Sequence, residues 1–335
     1  VFGDDLERQH AVMAPEAIEI EANGDRLERL YLRFFALPSD GTAAALFRLT
    51  FGLLAASQAF AICLNLYRFW GHDGMLPFEV IAKDRYLFLS PFYWAPKSNA
   101  LLVGHGIVFV LATAALLVGF RARIATLVIA YVHLSLQYRN PFILNSGDRL
   151  FMIIAFFAAF MPLSQRFSVD AWLRKRKGLA APTMSVWGQR LVCLQIAYVY
   201  VNSVTAKIGN PGWYGGTALR DVLASPVFAE WPRYIEVGPL IWFLTYSTLA
   251  FELGFPVLVW FKRMRPWLLI SGIAFHMSID VVMVIPIFSY IMISTYAAFL
   301  TDSEAQWLFD RVLRRQRATS PKAVSENETS SATSV

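Results

Sequence analysis

NALLVGHGIVFVLATAALLVG, residues 99–119, decides the fold. It contains no Asp, Glu, Lys or Arg. At about 1.5 Å of rise per residue, a helix of that length covers the roughly 30 Å of hydrocarbon in a bilayer. Seven further apolar segments lie around it, at about 43–66, 122–138, 149–164, 186–207, 238–260, 266–284 and 286–301. Those at 122–138 and 149–164 are short and carry polar residues, so they span only where neighbours shield them. The last two are separated mainly by Pro286, which leaves a single kinked or re-entrant segment as the alternative there. The expected fold class is an all-α integral membrane protein, a polytopic bundle of about eight transmembrane helices.

Composition agrees. Of 335 residues, 56% are hydrophobic and only 16% charged, against about a quarter charged in soluble domains. With 27 Phe, 10 Trp and 13 Tyr, the apolar surface exceeds what one compact core of this length buries, whereas lipid solvates it. The formal charge of +6 does not point to nucleic acid, because the basic residues sit between apolar runs and form no stripe. Cys63 and Cys193 each lie in an apolar run, with no CxxC and no zinc spacing, and read as small packing residues. No metal is expected. Residues 1–25 are acidic and polar and lack the features of a secretory signal, so insertion is expected through the chain's own helices.

Lys and Arg orient the spans. With the N-terminus inside, the inner segments hold nineteen of them: Arg8, Arg26, Arg29 and Arg33; Arg121 and Arg123; Arg166, Arg174, Lys175, Arg176 and Lys177; Lys262, Arg263 and Arg265; Arg311, Arg314, Arg315, Arg317 and Lys322. The outer segments hold eight: Arg68, Lys83, Arg85, Lys97, Arg139, Lys207, Arg220 and Arg233. Both termini are therefore expected in the cytoplasm. Before the first span, Leu27, Leu30, Tyr31, Phe34 and Phe35 recur at helical spacing, with Arg26, Arg29 and Arg33 between them. This reads as an amphipathic helix on the inner leaflet, or as a helix for a cytoplasmic partner. The organisation expected is a cytoplasmic segment at 1–38, a transmembrane domain at 40–305 and a basic, disordered tail at 306–335.

Ionisable groups at membrane depth are costly and ask for a reason. They are Arg48, Asp148, Arg149, Arg190, Lys207, Glu252, His276 and Asp280, with His105 and His133 as weaker cases. Each has a structural reading: Arg48 or Arg190 would pair with a buried acid, and Lys207 would snorkel from its helix end. Topology places Asp148, Lys207, His276 and Asp280 in the outer half of the membrane, where one outward-opening pocket explains them together. Two loops look built for a site. Residues 138–148 mix Asn140, Asn145 and Ser146 with Pro141 and Gly147, and residues 206–216 fold five Gly or Pro residues around Trp213 and Tyr214. The glycines do not follow the phosphate-loop pattern.

At these loops the sequence resembles the vitamin K-dependent γ-glutamyl carboxylase family, and more closely its bacterial branch of horizontally transferred transmembrane (HTTM) domain proteins. The resemblance is carried by Leu46-Phe47-Arg48 with Phe51-Gly52, Asn140 through Asp148, Phe167-Ser168-Val169-Asp170, Ala206-Lys207-Ile208 followed by Trp213, Phe251-Glu252-Leu253, and Phe275-His276-Met277. It implies a bacterial inner-membrane protein and a reduced, vitamin K-like quinone as cofactor. In those carboxylases the quinone is oxygenated and the strong base formed deprotonates a glutamate. The resemblance places the lysine that deprotonates the hydroquinone at Lys207. A lysine in an apolar pocket loses solvation of its charged form, and the neutral amine accepts a proton. Two departures stand out. Gly147 or Asp148 occupies the place of a functional His, and about thirty residues follow the last apolar segment where the carboxylases carry a large extramembrane region.

The expected function is a membrane enzyme acting on a quinone or lipid-like substrate, possessing carboxylase- or quinol-epoxidase-like lyase or oxygenase chemistry. Its catalytic residues would be Lys207, His276 and Asp148, and its substrate-binding residues Asn140, Asn145, Trp213, Arg48 and Glu252. The partners expected are membrane lipid, the quinone or lipid-like molecule and a membrane or periplasmic protein. The competing reading is a non-catalytic binding protein that keeps the pocket. A transporter is disfavoured by the lack of an internal repeat.

Overall fold

The computed structural model describes residues 25–81, 87–95, 97–182, 184–226, 238–283, 285 and 287–319. The expectations for residues 1–24, Lys83, Arg85, Arg233, Pro286 and the tail from 320, Lys322 included, lie outside these. Each apolar segment drawn from the sequence contains a helix, and the one at 149–164 is helical only to Ala158. The helices are α1 (Arg26–Tyr31), α2 (Thr42–Leu64), α3 (Leu66–Trp70), α4 (Phe78–Ile81), α5 (Asn99–Val118), α6 (Ala122–Arg139), α7 (Ser146–Ala158) and α8 (Val169–Arg176). They continue with α9 (Trp187–Ile208), α10 (Pro211–Tyr214), α11 (Ala218–Ala224), α12 (Pro239–Leu258), α13 (Arg265–Val282), α14 (Phe288–Thr295) and α15 (Asp302–Thr319).

Among the described residues, α2, α5, α9 and α12 are long and apolar enough to cross a bilayer, which fits a membrane protein. The other apolar helices are shorter or more polar. Exposed Leu53, Phe60, Leu111, Phe243, Leu253, Ile270 and Val281 leave the bundle an apolar exterior, which lipid covers without cost. α13 and α14 are two helices, separated by extended Met283 and by Ile287 at φ 63°.

The bundle has two halves. In one, α2, α5, α6 and α7 pack in sequence, and in the other α9 packs on α12 and α13 on α14. α14 lies against α2 and α7, and α7 against α9, which closes the two halves into one core. Phe47, Phe51 and Phe151 stack at its centre. Small residues permit the close approaches. A Cβ on Gly188 would stand 2.1 Å from the Phe160 carbonyl oxygen, and one on Gly272 would stand 2.4 Å from the Tyr296 hydroxyl.

Three local features depart from the sequence reading. First, Pro38–Ser39 pairs antiparallel with Met184–Ser185, a short ribbon in an otherwise helical chain. Second, the amphipathic stretch winds without a break from α1 into a π-helical turn at Leu32–Ala36. α1 starts with a capping box between Asp25 and Glu28 and leaves Leu27, Leu30 and Tyr31 exposed, while Phe34 packs on Trp260 with its ring 5.0 Å away. Third, the disordered tail expected from 306 begins as α15. Thr301 and Glu304 cap it reciprocally, and the Phe309 ring lies 4.7 Å from that of Phe167. Asp302 at its start accepts from Ser39 Oγ and from the backbone N–H groups of Asp40 and Ala43, so a carboxylate caps α2 where the helix dipole favours negative charge.

Candidate functional site

On α9, Tyr200, Ser203 and Lys207 follow at intervals of three and four and share one face. α12 packs against that face with Phe251, Glu252 and Phe255. The Lys207 ammonium donates to both Glu252 carboxylate oxygens and to Ser203 Oγ at 3.0 Å. Ser203 in turn donates to Glu252 at 3.1 Å. The lysine side chain is 17% exposed and the glutamate 6%. Its amine is thus drawn one turn back toward the middle of α9 and does not reach out past Ile208, the opposite of a snorkelling lysine.

The loop after α9 closes over this pair. Asn210 caps α10 by accepting from Gly212 N–H at 2.9 Å, and Pro211 fits the first helical turn. Trp213 is thereby carried back over Lys207, with its ring centroid 4.6 Å from the ammonium, a cation–π contact. The loop is anchored on α12. Tyr246 donates to the Tyr214 carbonyl. Gly216, at φ 70°, sits where a Cβ would meet the Trp242 ring at 2.8 Å.

Toward the middle of α9 lies a second polar group. Tyr200 bonds His276 Nε2 at 2.8 Å and the Tyr296 hydroxyl at 2.6 Å. Phe251, Phe255, Phe275 and Phe288 ring it. His276 is 1% exposed and its Nδ1 has no hydrogen-bond partner. Sequence reading missed Tyr200, Ser203 and Tyr296, because uncharged hydroxyls on apolar helices look like packing residues. The signal available was the spacing of Tyr200 and Ser203 from Lys207.

The remaining residues expected at one cavity are distributed elsewhere. Asn145 and Asp148 form the capping box of α7, with Asn145 accepting from the N–H groups of Gly147 and Asp148 at 2.7 and 3.2 Å. They line a recess between α2, α6 and α7 that includes neither Lys207 nor His276. Asn140 is 2% exposed and donates to the Phe69 carbonyl at 2.7 Å. Arg48 bonds no acid among the described residues. It takes carbonyls alone, donating to those of Leu163, Arg166 and Phe167 in the turn before α8. The reason is position: Arg48 lies two turns into α2, beside that turn, whereas Glu252 is already paired. Ile208 is 58% exposed, while Val204 is buried. Asp280 accepts from Tyr290 at 2.6 Å, and Arg190 lies between the rings of Phe34 and Trp260. Both cysteines are free, with Cys193 buried and donating to the Ala298 carbonyl. Among the described residues, no group of three or more His, Cys, Asp or Glu is gathered as for a metal ion.

No curated protein and no solved structure matches the chain. A family model of the HTTM domain matches residues 37–307, from the short ribbon through the start of α15. With well over half of its length matched, the chain belongs to the HTTM domain family.

Proposed function

We propose that the protein is a membrane-embedded acid–base enzyme acting on a hydroxyl-bearing, quinone- or lipid-like substrate at the Lys207–Glu252 pair. The observation that carries this reading is the pair itself: a half-buried ammonium on a buried carboxylate, roofed by an indole ring and turned toward the middle of a long apolar helix. Intramembrane ionisable pairs of this kind mark functional sites. The pair takes a substrate proton in either of its forms. If Glu252 is ionised, its carboxylate accepts the proton. If the proton already sits on Glu252, the neutral Lys207 amine accepts. Both routes end with an ammonium, a neutral carboxyl and a substrate oxyanion beside the ammonium, so the positive charge stabilises what the transfer creates. Glu252 therefore shares the base role expected of Lys207 alone.

The resemblance to the carboxylases points to a reduced quinone as that substrate. A cation, a carboxylate and an indole face form a donor set that fits a ring-bearing hydroxyl compound, and Lys207, Glu252 and Trp213 are the residues that would hold it. When bound, such a quinone supplies the reducing electrons for oxygen chemistry. We place the site in an eight-span, outward-facing arrangement in the bacterial inner membrane with both termini cytoplasmic, on the nineteen-to-eight distribution of basic residues. The saturation of the Lys207 ammonium by Glu252 and Ser203 favours a second reading, binding without chemistry.

Mass spectrometry of lipid extracts from the purified protein, together with oxygen uptake on added menadiol, tests both readings. Enzyme function predicts menadiol-dependent uptake that the Lys207→Met, Glu252→Leu double variant abolishes while the protein stays folded, because neither group of the pair remains to take the proton. A co-purifying quinone with no uptake in the wild type would leave the binding reading standing and remove the enzymatic one.

A further inference from the structure

The recess between α2, α6 and α7 has a volume of about 290 Å³. Its lining mixes polar side chains, His133, Asn145 and Asp148 among them, with apolar and aromatic ones, Ile62, Phe69 and Trp70 among them. The two aromatic residues are held by dedicated bonds. Asn140 donates to the Phe69 carbonyl at 2.7 Å, and Trp70 Nε1 donates to the Leu136 carbonyl at 2.9 Å.

His133 is the anomaly in this recess. It is 3% exposed, yet neither ring nitrogen has a hydrogen-bond partner. Its Nε2 stands 3.5 Å from Asp148 Oδ1, close but not bonded. A neutral imidazole always carries one N–H donor and one acceptor nitrogen, and buried polar atoms are almost always satisfied by protein, water or ligand. The Asp148 carboxylate is fixed from behind, since its Oδ2 accepts from the Asn145 N–H at 3.1 Å, and Gln137 donates to the Asp148 carbonyl at 3.1 Å.

We propose that this recess is a binding site, separate from Lys207–Glu252, for an amphiphile whose hydroxyl head bridges His133 and Asp148. The chemistry selects the head. An ionised carboxylate only accepts, so the ligand must donate to it. The same atom must also accept from, or share a proton with, an imidazole nitrogen, and a hydroxyl oxygen does both. The recess selects the rest of the ligand. It is many times larger than one water needs, and its lining by Phe69 and Trp70 rewards burial of an apolar body. Neither Lys207 nor Glu252 lines it, so the inference does not depend on the catalytic reading.

Equilibrium binding of 4-hexylphenol and of its methyl ether, 4-hexylanisole, to the detergent-solubilised full chain tests the inference. The phenol should bind saturably and the ether at least tenfold more weakly, because the ether cannot donate to Asp148. His133→Leu and Asp148→Asn should each weaken phenol binding at least tenfold with little change in Tm. Equal affinity for phenol and ether on the wild type overturns the proposal without recourse to any variant. So does an unaltered affinity in His133→Leu. Absence of saturable binding also overturns it, and assigns the recess to water.

Discussion

The Lys207 ammonium bonds the Glu252 carboxylate across the contact between α9 and α12, with the two side chains 17% and 6% exposed. Breaking a buried pair by removing one partner strands a charge and costs about 3–5 kcal/mol, whereas replacing both with apolar groups is often neutral. Lys207→Met and Glu252→Leu should therefore each lower the Tm markedly, and the double variant should recover most of the loss. Thermal unfolding in one detergent checks this. Additive losses in the double variant would mean that the two side chains are not coupled.

Arg48 ties α2 to the turn before α8 through three carbonyls. Arg48→Leu leaves those carbonyls without their donor in a buried place, at about 1–3 kcal/mol for each one left unsatisfied. Arg48→Lys should restore only part, because one ammonium cannot reproduce the guanidinium fork. The same joint constrains Gly119. At φ 70°, a Cβ there would lie 2.4 Å from Ser168 Cβ and 2.6 Å from Arg48 Nη1. Gly119→Ala should thus lower thermal stability as Arg48→Leu does. A Gly119→Ala protein as stable as the wild type would show that this joint is loose.

Orientation is open to direct measurement. In a Cys63→Ser background, single cysteines at Lys175 and Arg263 should resist an impermeant thiol reagent on intact cells, and one at Trp213 should react. Cys193 is buried and stays silent. Reaction at Lys175 with none at Trp213 would invert the arrangement.

Asp40 gives a pH dependence of stability. Its partial burial opposes ionisation, but bonds from the Thr42 hydroxyl and N–H and the nearby Arg166 guanidinium outweigh it and hold the carboxyl below its ordinary value of 3.8. A carboxyl lowered in the folded state contributes stability that is present above the unfolded value and is lost as pH falls through the folded one. The Tm advantage of wild type over Asp40→Asn should therefore be constant at neutral pH and shrink below about pH 4. An advantage that grows toward low pH would contradict the assignment.

Sequence alone determined the helices. Runs such as 99–119 and 186–207 admit little else, because a chain in lipid must satisfy its backbone internally. Ionisable residues inside those runs are conspicuous in sequence for the same reason, so Lys207, Glu252, His276, Arg48, Asp148 and His133 were all legible as exceptions. Their partners were not. Lys207 and Glu252 are 45 residues apart, Arg48 and Leu163 115 apart, and Tyr200 and Tyr296 96 apart. No local rule links positions so distant, since which helix faces meet depends on how the whole bundle packs. A hydrophobic run shows that it will be a helix but not which neighbour its polar side chain will meet, and apolar periodicity is weak when lipid and core are equally apolar. Tertiary structure alone therefore placed Lys207 under Trp213, gave Arg48 to carbonyls, and set His133 and Asp148 facing a recess of their own.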